Sequence, residues 1–190
     1  VGSFDGTKFT PEQEPIQGDF GRNFYASQTW SDAPRSRRIQ IGWMAGSDFP
    51  TMPFTNQMSI PCELKLKKSA NGYRIYRMPV KEVAKLYTNE HLVTAFGKID
   101  KPKGDLYDIE GSFKVGSQGG FAFTIRGEKV SYSAKTGKLS SVGCEAPLQP
   151  VNGVVNVRIL VDRSSIEVFG NDGIVSLTSY FKPSANNHQL

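Results

Sequence analysis

From residue 106 onward the chain repeats one pattern: a short run of alternating apolar and polar residues, a tight-turn signal, then the next run. The runs fall at 106–113, 121–126, 129–134, 154–162, 165–170 and 174–181. Phe121, Phe123 and Ile125 alternate, as do Val155, Val157, Ile159 and Val161. A period of two places each such set on one face of a strand. The links Arg126-Gly127-Glu128, Lys135-Thr136-Gly137, Arg163-Ser164 and Asn171-Asp172-Gly173 read as hairpin turns. Many short strands at a spacing of about ten residues build a β-sandwich. The four positions from Val155 to Val161 are expected in its core.

The first part of the chain is also strand-rich but differently organised. Ile39, Ile41 and Trp43 alternate, Leu64 and Leu66 alternate within 58–67, and 73–78 is short and aromatic. The polar stretch 68–72 ends in Asn71-Gly72, so 58–67 and 73–78 should form a hairpin. Val80, Val83, Ala84 and Tyr87 have helical spacing but make only a short connector. A module boundary is placed near Pro79, giving 1–78 and 79–190. The fold class is all-β: the first module is too short to close a propeller ring, but it can supply one or one and a half four-stranded blades, and a sandwich follows. Nineteen Gly and eleven Pro suit a chain of short strands and turns. A hydrophobic content of 38% allows a genuine core.

Several functions are excluded by residue supply. The net charge of +5 is mild, and its one cluster, Arg35, Arg37 and Arg38, reads as a solvated loop, so no nucleic-acid partner is expected. No run approaches the length of a membrane span, and no membrane partner is expected. Cys62 and Cys144 are too few for a disulfide framework, and His91 and His188 are the only histidines. Neither a metal site nor a histidine triad has a full set of members, and no cofactor is expected. No signal peptide is read at the start, and the first residue is Val, so the native address has to come from elsewhere.

Carboxylates and aromatics remain. Glycosidic cleavage needs two carboxyl groups flanking one bond. Asp5, Asp19, Asp32 and Asp48 are available by type, although Asp5 and Asp32 stand in turn contexts. Asp162 opens a hairpin turn, Glu167 lies on a strand with one wet face, and Glu145 lies in a loop. Phe24, Tyr25, Trp30, Trp43, Phe49 and Phe54 crowd a short span with Asp19, Asn23 and Gln28. Aromatic faces with fixed polar groups suit a sugar pocket, and the same aromatics suit packing between blades.

Read together, these segments resemble glycoside hydrolase family 32, the invertases, inulinases and levanases. The resemblance rests on Val1-Gly2-Ser3-Phe4-Asp5-Gly6, the segment Asp19-Phe20-Gly21 through Trp30, and Arg38 through Met44. It continues through Gln57-Met58-Ser59-Ile60-Pro61 and Asp162-Arg163-Ser164-Ser165-Ile166-Glu167-Val168-Phe169. The family implies a five-bladed propeller followed by a β-sandwich, and retaining hydrolysis of β-fructofuranosides by an Asp nucleophile and a Glu acid/base. The motifs that carry those groups are absent from these residues, which contain no Asp-Pro. No catalytic residue is therefore assigned, and the chain is expected to be inactive alone. The resemblance carries Asp19 and Tyr25 to the sugar side of the pocket. It implies fructan (levan or inulin) or sucrose as substrate of the complete enzyme, and a secreted, periplasmic or cell-surface address. Cys62 departs from the family, which often has Arg there. The region after Trp43-Met44 also lacks an additional Trp common near the sugar.

Two other readings compete: a fructan-binding module that does not cut, and a purely structural sandwich. The exposed aromatics of 1–78 imply a covering partner, either the remainder of the parent propeller or a second copy of the chain.

Overall fold

The computed structural model describes residues 1–46, 53–69, 72–94, 104–183, 187 and 190. Of the residues singled out above, Asp48, Phe49, Asn71 and His188 lie outside them. Gly2–Phe4 (β1) and Phe9–Pro11 (β2) form a small hairpin. Asp5 closes it, its Oδ1 accepting the N–H groups of Thr7 at 2.8 Å and Lys8 at 2.7 Å. This is a carboxylate spent on a turn.

One sheet then gathers Tyr25–Thr29 (β3), Ile39–Met44 (β4), Gln57–Met58 (β5), Cys62–Ser69 (β6) and Gly72–Pro79 (β7). Its order is β3-β4-β6-β7, with β5 also paired to β4. The strand expected across 58–67 is therefore broken. Pro61 has no N–H to give to a ladder, so the chain leaves the sheet at Ser59–Pro61 and returns at Cys62. Met58 stays paired with Trp43, and Cys62 with Gln40. The expected hairpin of β6 and β7 is present, with Ser69 opposite Gly72. Ile39, Ile41 and Trp43 lie on the less buried side of β4, whereas Gly42 and Met44 are buried. Gly42 sits against the Phe24 ring, where a Cβ would lie 2.4 Å from the nearest ring atom.

A 3₁₀ helix at Lys81–Leu86 connects this sheet to the rest. Arg37 is not simply solvated: it bridges Glu63 of β6 (2.9 Å) and Glu82 of the connector (2.7 Å).

The sandwich follows: Tyr107–Lys114 (β8), Gly120–Ile125 (β9), Glu128–Ser133 (β10), Lys138–Ser141 (β11), Cys144–Pro147 (β12), Val154–Val161 (β13), Ser165–Gly170 (β14) and Val175–Tyr180 (β15). The chain crosses between two antiparallel sheets, β12-β11-β10-β9 and β15-β14-β13-β8. Val155, Val157, Ile159 and Val161 are all buried with Ile125, Val130, Leu139, Ile166 and Leu177 in one core. Glu145 is in a strand rather than a loop, and Lys138 across the β11–β12 pair binds it at 2.5 Å. These two strands escape a reading by alternation because each has only four residues.

A larger correction concerns β14. It is buried on both faces. Ile166 and Val168 face the sandwich core, while Glu167 and Phe169 face the β3–β7 sheet, and Glu167 is only 1% exposed. Phe169, Leu160 and Cys62 form a second buried cluster at this seam, joined by Ile60, Met78 and Val83. Two glycines allow the close approach. A Cβ on Gly21 would lie 2.0 Å from the Thr178 carbonyl oxygen, and one on Gly173 2.0 Å from that of Arg77. The Arg77 N–H donates to the Gly173 carbonyl at 2.9 Å, so the turn after β14 caps the free edge of β7.

Candidate functional site

The segment leading into β3 runs along the edge of β15. Phe20 N–H donates to the Ser176 carbonyl (2.8 Å) and Asn23 N–H to the Thr178 carbonyl (3.1 Å). The Asn23 side chain accepts from Tyr180 N–H and donates to the Ala45 carbonyl, tying β15 to the end of β4. Asp19 anchors the start of this run. Its Oδ1 accepts from the N–H groups of Gly21 (2.8 Å) and Thr178 (3.1 Å). Its Oδ2 takes the Arg77 guanidinium and the hydroxyls of Ser176 (3.0 Å) and Thr178 (2.9 Å).

Arg77 is equally enclosed. It donates to Ser176 and Thr178 and stacks on the Phe24 ring, 4.1 Å from its centroid. The side chains of Asp19 and Arg77 are 3% and 4% exposed. With both carboxylate oxygens engaged and water excluded, Asp19 has no face to offer a sugar. The family resemblance carries it to the pocket side, whereas in the structure it is half of a buried ion pair that fastens the β3–β7 sheet to the sandwich.

Tyr25 stands differently. It is 65% exposed at the start of β3, directly opposite Trp43 of β4, itself 39% exposed. The two rings lie 6.2 Å apart and tilted by 52°. On the opposite face of the same two strands Gln40 donates to the Ser27 hydroxyl at 3.1 Å. Trp30, Phe54 and Met58 are also exposed. Such a surface offers apolar ring faces, the chemistry that grips the C–H faces of a sugar. It can bind and orient, but the proton transfers of glycosidic cleavage need a pair of carboxyl groups, and the described residues of this surface supply none.

The remaining candidates have structural surroundings. Cys62 and Cys144 are both free thiols, and burial pushes the Cys62 thiol up to about 12, so it stays protonated. Cys62 packs with Leu160 and Phe169 where the family resemblance would place an Arg. Glu167 was legible only as a strand residue, yet its Oε1 accepts the Ile60 N–H at 2.7 Å across the seam. The one sequence signal for that contact is Pro61, which marks where the neighbouring strand must leave its ladder.

The family model described as Glycosyl hydrolases family 32 N-terminal domain matches residues 1–79, and that described as Glycosyl hydrolases family 32 C terminal matches residues 77–190. A levanase of Bacillus subtilis (strain 168) is 40% identical over an alignment covering 100% of this chain and 34% of the levanase. An extracellular exo-inulinase of Aspergillus ficuum is 29% identical, over 97% of this chain and 42% of that protein. The chain thus spans well under half the length of either relative. The crystal structure of exo-inulinase from Aspergillus awamori superposes with a TM-score of 0.80 at 27% identity, covering 100% of this chain and 45% of that one.

Proposed function

The chain belongs to glycoside hydrolase family 32, and from that premise we propose that it forms the last propeller blade and bracing sandwich of a β-fructofuranosidase-type enzyme that hydrolyses fructan. Residues 1–78 are the blade and 79–190 the sandwich. The nucleophile and acid/base reside in the other blades of the complete enzyme, as the family resemblance implies. These residues contribute an aromatic wall and a rigid support.

The observation that carries this reading is the exposed Tyr25–Trp43 pair, set on neighbouring strands of a blade that is held from behind by the buried Asp19–Arg77 pair. Tyr25 is the sugar-contacting residue. Asp19 serves the site as a positioning residue, because the run from Asp19 to Asn23 sets where β3 begins. Levan is the substrate favoured by the levanase relative, whose identity extends along the whole of this chain. The half-buried stretch of β4 at Ile39 and Ile41 is the surface that the remainder of the propeller covers, and Trp43 beyond it stays open to the sugar.

The reading is tested by joining residues 1–190 to the catalytic blades of a levanase and comparing Tyr25 with Tyr25→Ala. Loss of one stacking face, about 1.4 kcal/mol, should raise KM for levan about tenfold. The effect on kcat should be smaller, since the ring binds sugar without taking part in bond breaking. An unchanged KM in a folded variant would place Tyr25 outside the sugar site.

A further inference from the structure

The break in the blade at Ser59–Pro61 leaves the Ile60 N–H without a strand partner, and the sandwich supplies one in Glu167 Oε1 at 2.7 Å. The adjacent Ser59 is in turn locked to β4: its N–H donates to the Gly42 carbonyl (2.8 Å), and its hydroxyl accepts the Gly42 N–H (3.0 Å). Gly42 directly precedes Trp43. A short chain of hydrogen bonds therefore runs from the sandwich to the aromatic wall.

The surroundings of Glu167 decide its protonation. The charged and titratable groups facing it are Arg77 on β7, Asp19 ahead of β3 and the Cys62 thiol on β6. Its cross-strand neighbours Leu160 and Thr178 carry no charge, and Arg158 stands two residues from Leu160 on β13. Arg77 and Asp19 already neutralise each other, so an ionised Glu167 would be a third, unpaired charge at full burial. The hydroxyl of Thr178 has one proton. It accepts from Arg77 at 2.8 Å and lies 2.9 Å from Asp19 Oδ2 and 3.4 Å from Glu167 Oε2. If its proton goes to Asp19, the contact with Glu167 is a hydrogen bond only when Glu167 carries a proton of its own.

We propose that Glu167 is a positioning residue whose buried carboxyl pins the Ser59–Pro61 break to the sandwich and thereby holds Trp43, and that losing its proton makes the pin open more readily, because the cost of a buried charge outweighs the stronger bond a carboxylate makes to the Ile60 N–H. Burial raises this carboxyl from its ordinary 4.5 to about 7. The sign follows from linkage. When the pin opens, Glu167 regains water and its ordinary acidity, so opening releases a proton at any pH between 4.5 and about 7. Within that window the opening equilibrium grows about tenfold per pH unit, and above it the dependence levels off. The pin is strongest in acid. Its consequence for sugar binding rests on the role given above to Tyr25 and Trp43.

Backbone hydrogen exchange measured residue by residue on the 190-residue chain, corrected for intrinsic exchange rates, tests the pin without any sugar. Protection at the Ile60 amide should fall about tenfold per pH unit up to near pH 7 and then flatten. The Gly42 amide should follow it. In Glu167→Gln the amide oxygen still accepts from Ile60 but cannot titrate, and the slope should vanish. A flat Ile60 profile in the unmodified chain overturns the proposal even if the variant does not fold. A slope that survives in Glu167→Gln overturns it too, and a slope at Ile60 that is absent at Gly42 overturns transmission to Trp43. Failure of the Tyr25→Ala experiment would leave these profiles unchanged, so the two readings fail separately.

Discussion

Asp19→Ala should destabilise the chain by about 3–5 kcal/mol, the loss expected when one partner of a buried ion pair is removed and the other charge remains. The reason is local. Arg77 is enclosed by Phe24, Ser176 and Thr178, and its Nη1 has no hydrogen-bond partner among the described residues. Without Asp19 its charge keeps two hydroxyls and the Phe24 ring, and the one carboxyl facing it, Glu167, is itself fully buried. Urea denaturation should show the loss as a lower midpoint. The double variant Asp19→Leu, Arg77→Met should recover much of it, since it removes both charges and leaves shapes that pack. A loss below about 1 kcal/mol for Asp19→Ala would mean that the seam is open to water and that the pair behaves as a surface salt bridge.

Val157→Asp should abolish the folded sandwich. Val157 is 4% exposed and lies between Gly111 of β8 and Gly170 of β14, so its neighbours in the sheet carry no side chain able to pair with a carboxylate. Burying that charge, or the protonated acid without a partner, costs more than about 4 kcal/mol, a large part of the 5–15 kcal/mol that holds a typical domain together. Far-UV circular dichroism and the loss of a cooperative thermal transition report it. Val157→Ala, which only removes methyl groups, should remain folded with a lower melting temperature. A cooperative, native-like Val157→Asp variant would show that the alternation from Val155 to Val161 does not face a dry core.

Legibility varied along the chain for physical reasons. Val155, Val157, Ile159 and Val161 announce a strand because a period of two survives whatever the other face meets. Alternation does not reveal what covers that second face. Glu167 between Ile166 and Val168 therefore reads as a half-wet strand, yet the blade lies over it. Lys138–Ser141 and Cys144–Pro147 are too short to show a period at all. The site divided in the same way. Tyr25 is visible as an aromatic in a crowded, strand-like stretch. Asp19 looks like a free carboxylate until Arg77, 58 residues on, and Thr178, 159 residues on, close around it. Partners at such distances leave no local trace in a sequence. Ile39, Ile41 and Trp43 share one face of β4, but it is the less buried face, because Gly42 and Met44 take the core side.

On the function proposed above, this chain supports and completes a fructan-cleaving site whose bond-breaking groups lie in the other blades. Fructose release from levan by the purified chain, by the catalytic blades of a levanase alone, and by the two expressed together measures this directly. The expected result is no release by the 190-residue chain above a heat-inactivated control, and release by the combination well above that of the catalytic blades alone. Release by the chain alone, or a combination no more active than the catalytic blades without it, would contradict the account.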